Sequence, residues 1–88
     1  MKTHNLKTWP QYFERVLDGS KTFEVRNNDR DFQTGDILIL LEYDPNNNSF
    51  TNRTIKKVVS YTLHGGNFGL EHGFVVLGLN NTSNQNER

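Results

Sequence analysis

Only one stretch of this chain, WPQYFERVLD from Trp9 to Asp18, repeats its apolar residues with the period of a helix, and this limits the fold more than any other feature. Trp9, Tyr12, Phe13, Val16 and Leu17 fall at i, i+3, i+4 spacing and gather on one helical face. Thr8 is placed to cap the first turn, Pro10 suits a position whose N–H is unpaired in any helix, and Gly19 can take the left-handed conformation that closes one.

After the helix the chain turns to strands. Lys21 to Asn27 alternates with period two and runs into NNDRDFQTGD, rich in residues that favour turns. Asp36 to Tyr43 (DILILLEY) is a nearly continuous β-prone run, and DPNNNS after it predicts a hairpin whose return strand covers Phe50 to Thr54. A further strand is expected over Thr54 to Leu63, then a glycine-rich loop from His64 to Gly73, then a last buried strand from Phe74 to Asn80. Helix first, strands after, with no βαβ rhythm, predicts an α+β domain that is mostly β. Its expected form is a small, mostly antiparallel barrel or curved sheet, with the helix packed across an opening or edge. Residues 1–80 form the single expected domain, and the polar tail 81–88 is expected to be disordered.

Composition narrows the function. A formal net charge of zero argues against coating nucleic acid or membrane by bulk electrostatics, so any nucleic-acid contact has to be local. With no cysteine, disulfides, thiolate metal sites and cysteine nucleophiles are excluded. The N-terminus lacks the apolar run of a signal peptide and no segment is long enough to span a bilayer, which predicts a cytoplasmic protein without membrane partners. The N-x-S/T triplets at Asn47, Asn52, Asn80 and Asn81 then read as loop chemistry. His64 and His72 have no recognised metal spacing, HGGNFG lacks the lysine of a phosphate-binding loop, and no metal or cofactor is expected. That glycine-rich loop could instead cover a cleft.

The stretch GSKTFEVR, Gly19 to Arg26, poses the functional question. Phe23 and Val25 face one way, and Thr22, Glu24 and Arg26 the other, with Lys21 arriving beside them. Such a row is often only a solvated strand face, where an ion pair contributes about 0–1 kcal/mol. However, the four positions Gly19, Lys21, Glu24 and Arg26 match the G-x-K-x-x-E-x-R motif of the ASCH superfamily, and the flanking FERVLDG and DFQTGDILIL fit as well. The chain therefore resembles an ASCH domain, specifically a small bacterial and phage ASCH-like family, over most of its length up to about Leu79.

The resemblance implies a PUA-like β-barrel whose motif lines a cleft that binds RNA or a nucleotide-like ligand. Lys21 and Arg26 would then contact phosphate or a base edge, and Glu24 would orient them or accept from an exocyclic amine. Gly19 would permit the close turn, and Gly35-Asp36 would form the turn into the next strand. His4, Lys7, Trp9 and Arg30 are candidates to help line the cleft, with Trp9 the aromatic residue best placed to stack on a base, while helical spacing makes core the commoner fate of Tyr12 and Phe13. A rival implication is an amidohydrolase acting on acylated cytidine, although Glu24 stands where that branch carries its threonine nucleophile. A protein-interaction module is the third reading. Whether Glu24 pairs with Lys21, Arg26 or a ligand stays open at the level of sequence.

Overall fold

The computed structural model describes residues 1–82, which form five strands and one helix: β1 (Thr3–Thr8), α1 (Pro10–Leu17), β2 (Phe23–Asn27), β3 (Ile37–Asp44), β4 (Ser49–His64) and β5 (Phe74–Asn81). The strands make one curled sheet in the order β1-β3-β4-β5-β2. β3, β4 and β5 are a meander of antiparallel neighbours, β2 joins the free side of β5 antiparallel, and β1 joins the free side of β3 parallel. The domain is thus mostly β with one short helix, as expected. The chain opens on a strand, however, and one of its four strand pairings is parallel.

β1 and β2 lie at opposite margins of the sheet although only α1 and two short turns separate them in sequence. The sheet curls around one core, and its inward positions alternate cleanly: Leu38 and Leu40 from β3, Val75 and Leu77 from β5, Leu6 from β1, Val59 from β4. α1 supplies Phe13 and Val16, each worth about 1.5–3 kcal/mol of apolar burial. Phe32, in the loop after β2, fills the remaining volume.

Several expectations need correction. Trp9, not Thr8, is the N-cap residue, and it makes no side-chain cap; Thr8 belongs to β1, where its hydroxyl donates to the Leu6 carbonyl at 3.3 Å. Trp9, Tyr12 and Leu17 remain exposed, because the helix rests on the sheet by the narrow ridge of Phe13 and Val16. The two strands expected over Phe50–Thr54 and Thr54–Leu63 are one, β4, which accommodates a left-handed Asn52 (φ 74°) and a bulge between Val59 and Tyr61 without ending. At the C-terminus β5 runs to Asn81 and Thr82 is buried, so the domain passes the expected boundary at 80; residues 83–88 lie outside the described residues.

Two buried carboxylates fasten the fold. Arg53 on β4 grips Glu42 on β3 with both ends of its guanidinium, Nε to Oε1 at 2.9 Å and Nη2 to Oε2 at 3.0 Å, and reaches Glu14 on α1 as well. The hydrogen bond from Arg53, then one from the Thr51 hydroxyl, holds the Glu42 carboxyl below its ordinary pKa against the opposing effect of burial. The guanidinium also lies 5.0 Å over the Phe13 ring, so helix and sheet share one clamp.

At the start of β3, Asp36 accepts from the Lys2 N–H at 3.0 Å, the Gln33 N–H at 3.1 Å and His4 Nε2 at 2.9 Å. Burial alone would raise the Asp36 carboxyl pKa; the bonds from His4, Lys2 and Gln33 together outweigh it and leave the pKa lowered. The Gly35-Asp36 turn forms as expected: Gly35 is left-handed (φ 96°), and the turn plugs into β4 through Gly35 N–H to Val59 O and Val59 N–H to Asp36 O, both 2.8 Å.

Candidate functional site

Because β1 and β2 are sheet margins that do not pair, a gap separates them, and α1 crosses it. The gap is a cleft of about 610 Å³ lined by Lys7 and Thr8 of β1, Trp9 and Tyr12 of the helix start, Lys21, and Phe23, Glu24, Val25 and Arg26 of β2. Gly19 ends the helix in the left-handed conformation (φ 88°), and Lys21 N–H returns to the Arg15 carbonyl at 2.9 Å. That turn carries Lys21 straight into the cleft mouth.

The alternation of GSKTFEVR holds, but its faces are inverted relative to a solvated polar row. Glu24 is 4% exposed and Arg26 half-buried, whereas Phe23 and Val25 are 44% and 47% exposed. A strand with period two does not state which face is inside. Here the polar face is inside because β2 is the margin beside the cleft, and the inward side of that margin meets the cleft floor.

On that floor, Glu24 is held from both sides. Lys21 Nζ donates to Oε2 at 2.8 Å and to the Phe23 carbonyl at 2.7 Å; Arg26 Nε donates to Oε1 at 3.1 Å. Arg26 Nη2 continues across the gap to the Lys7 carbonyl at 2.8 Å and the Thr8 hydroxyl at 3.3 Å. Desolvating such a cluster offsets much of its Coulombic gain, so its main effect is to fix directions rather than to stabilise the fold. The directions are informative. An ionised carboxylate only accepts, and Glu24 is engaged at both oxygens, while Arg26 Nη1 and one Lys21 N–H have no protein partner among the described residues. Two cations against one carboxylate also leave the floor with one excess positive charge.

The walls are apolar and aromatic. Trp9 and Tyr12 lie nearly parallel, 17° apart with centroids at 6.3 Å, and Phe23 stands on the β2 side. The Lys21 ammonium sits 5.0 Å from the Phe23 ring and 5.7 Å from the Tyr12 ring, spanning the two walls.

Of the residues expected at a site, the structure gathers Lys7, Trp9, Lys21, Glu24 and Arg26 here and leaves two outside. His4 is buried against Asp36 and stacks edge-on against Phe32 at 4.7 Å; with Asp36 ionised, its Nε2 carries the proton. Arg30 donates to the Asn5 carbonyl at 2.8 Å, a second arginine link from the β2 side to the β1 margin. Glu24, expected to orient the two cations or to accept from a base amine, is bonded to both Lys21 and Arg26. Thr8, Phe23 and Val25 join the site without having been singled out for it from sequence, and Tyr12 joins it instead of taking the core place that helical spacing favours. The glycine-rich loop does not cover the cleft: His64, Gly65, His72 and Gly73 line a separate hollow of about 210 Å³ with Asn28 and Phe74.

A family model described as a domain of unknown function, DUF3850, matches residues 3–79. An uncharacterized 12.9 kDa protein in the GpA 3′ region of Escherichia phage P2 is 45% identical over 42 residues, covering 48% of this chain and 38% of that protein. The match therefore spans well under half of the relative's length.

Proposed function

The chain belongs to the DUF3850 family, whose function is unknown; we propose that its cleft binds RNA or a nucleotide and that the domain is a PUA-like barrel of the ASCH type. The observation that carries this reading is the pairing of chemistries in one cavity. A floor with unused donors, from Arg26 and Lys21, lies beneath aromatic walls formed by Trp9, Tyr12 and Phe23. A nucleotide fits both, with a π-face for the walls and phosphate or base carbonyl oxygens for the donors. The resemblance of GSKTFEVR to the ASCH motif supports the same reading.

Binding is favoured over hydrolysis by the state of the polar groups. Thr8 is the threonine whose hydroxyl lines the cleft, and that hydroxyl donates to the Leu6 carbonyl and faces Arg26, with no free base beside it. The carboxylate present, Glu24, is engaged by two cations.

An amide-shift titration with uridine and cytidine 5′-monophosphates tests the reading. Shifts are expected at Lys7, Trp9, Lys21 and Arg26. Trp9→Ala, at a 48% exposed position outside the core, is expected to weaken binding about tenfold without unfolding the domain. Amides that stay still for both nucleotides up to millimolar concentration would remove the cleft from consideration.

A further inference from the structure

The inverted faces of β2 leave apolar side chains on the outside of the sheet, and these do not stand alone. Strand register aligns Phe23 with Gly78 and Gly78 with Tyr61; one step along, it aligns Val25 with Val76 and Val76 with Leu63. Two rows therefore cross β2, β5 and β4 on the outer face. Tyr61 is 66% exposed, and Leu63 is exposed as well. Gly78 puts a gap in the first row, so the Phe23 and Tyr61 rings are separated at their backbones by two strand spacings, about 10 Å. Ser60, the extra residue of the β4 bulge, brings its hydroxyl to within 2.7 Å of where a Gly78 Cβ would stand, so a polar floor lies between two aromatic walls.

Two further observations indicate what such a strip would hold. It is continuous with the cleft, because Phe23 and Val25 form the cleft's lip and the first positions of both rows. Its charge is also sorted. The outward positions of these strands from Lys56 onward are Lys56, Val58, Ser60 in the bulge, Tyr61 and Leu63 on β4, Phe74, Val76, Gly78 and Asn80 on β5, and Phe23, Val25 and Asn27 on β2; they include a lysine and no carboxylate. Lys21, over the Phe23 ring, adds a cation where cleft and strip meet. Glu24 and Glu42, on the inward faces of β2 and β3, are buried under arginines.

We infer that this strip is a track for single-stranded nucleic acid leaving the cleft, with a base stacking on Phe23 and the next in the slot before Tyr61, the phosphate between them near Lys21. Rings and cations without anions suit a polyanion of stacked bases. The inference rests on the nucleotide reading of the cleft and adds to it a polymeric ligand and a direction of travel.

The test compares dissociation constants of uridine 5′-monophosphate and a six-nucleotide oligouridylate for the wild-type domain and for Tyr61→Ala. The oligonucleotide is expected to bind at least about tenfold more tightly than the mononucleotide and to shift the amides of Tyr61, Leu63 and Val76. Tyr61→Ala should remove most of that gain while leaving the mononucleotide constant within about twofold. If lengthening the ligand gains nothing, or the gain survives Tyr61→Ala, the track is wrong and the cleft reading stands. If neither ligand binds, both fall. Sedimentation of the free protein adds a further arm: a dimer that Tyr61→Ala dissociates would assign the strip to self-association and overturn the track.

Discussion

Arg26 Nη2 donates to the main-chain carbonyl of Lys7 at 2.8 Å, joining two strands that share no backbone hydrogen bond. With Arg30 on the Asn5 carbonyl, it gives the unpaired margin of β1 side-chain donors in place of a neighbouring strand. The cleft is therefore closed at its floor by the same guanidinium that orients Glu24.

Arg26→Lys is expected to destabilise the domain by about 1–3 kcal/mol, because an ammonium cannot serve Glu24, Lys7 and Thr8 at once in the planar fork that Arg26 uses. Urea denaturation measures it. A variant as stable as the wild type would mean that the cross-gap bond contributes nothing net. It also follows that loss of binding in an Arg26 variant is not by itself evidence of ligand contact, whereas Trp9 and Tyr12 variants read the cleft directly.

Stability should fall in acid. Asp36 and Glu42 have folded pKa values below those of the unfolded chain. Their contribution is therefore complete above the unfolded carboxylate range, near pH 4, and lost as pH drops through the lower folded values. Asp36→Asn is expected to be less stable than the wild type at pH 7 and to approach it as the pH falls below the lowered Asp36 value, where the carboxyl takes up its proton. Urea midpoints measured across that range decide it; a gap that does not change with pH would show that Asp36 acts through shape alone.

Two glycines should respond to alanine for different reasons. At Gly65 a Cβ would stand 1.9 Å from the Glu71 carbonyl oxygen and 3.0 Å from that of Phe74, both backbone, so Gly65→Ala should cost about 3 kcal/mol or more and displace the loop before β5. At Gly19 nothing lies within 4 Å of that Cβ, and the only penalty is the left-handed φ of 88°, about 1–2 kcal/mol. Thermal denaturation of the two variants should rank them in that order; the reverse order would contradict the packing of the loop.

What the sequence revealed was local. The span of α1, its closure at Gly19, the turn at Gly35-Asp36 and the company of Lys21, Glu24 and Arg26 all follow from neighbours within a few residues. What it concealed was relational. β1 is fixed by a parallel partner more than thirty residues away, with Thr3 opposite Ile37. The continuity of β4 through Asn52 depends on its bulging against β3, where Phe50 to Thr54 stand opposite Tyr43 to Leu41, and the inward turn of Glu24 depends on β2 being a margin. The family resemblance and its place before the helix put His4 among the cleft candidates, yet β1 alternates, and its even positions point into the core.

The placement of β1 and β2 at the two sheet margins bears on how the protein is made. The meander of β3, β4 and β5 can form from successive hairpins, but β1 has no partner until β3 exists, and β2 must wait for β5, about fifty residues further along. The cleft is therefore assembled only after β5 has emerged and paired. A ribosome-stalled chain lacking β5 would expose the whole of GSKTFEVR in an open segment.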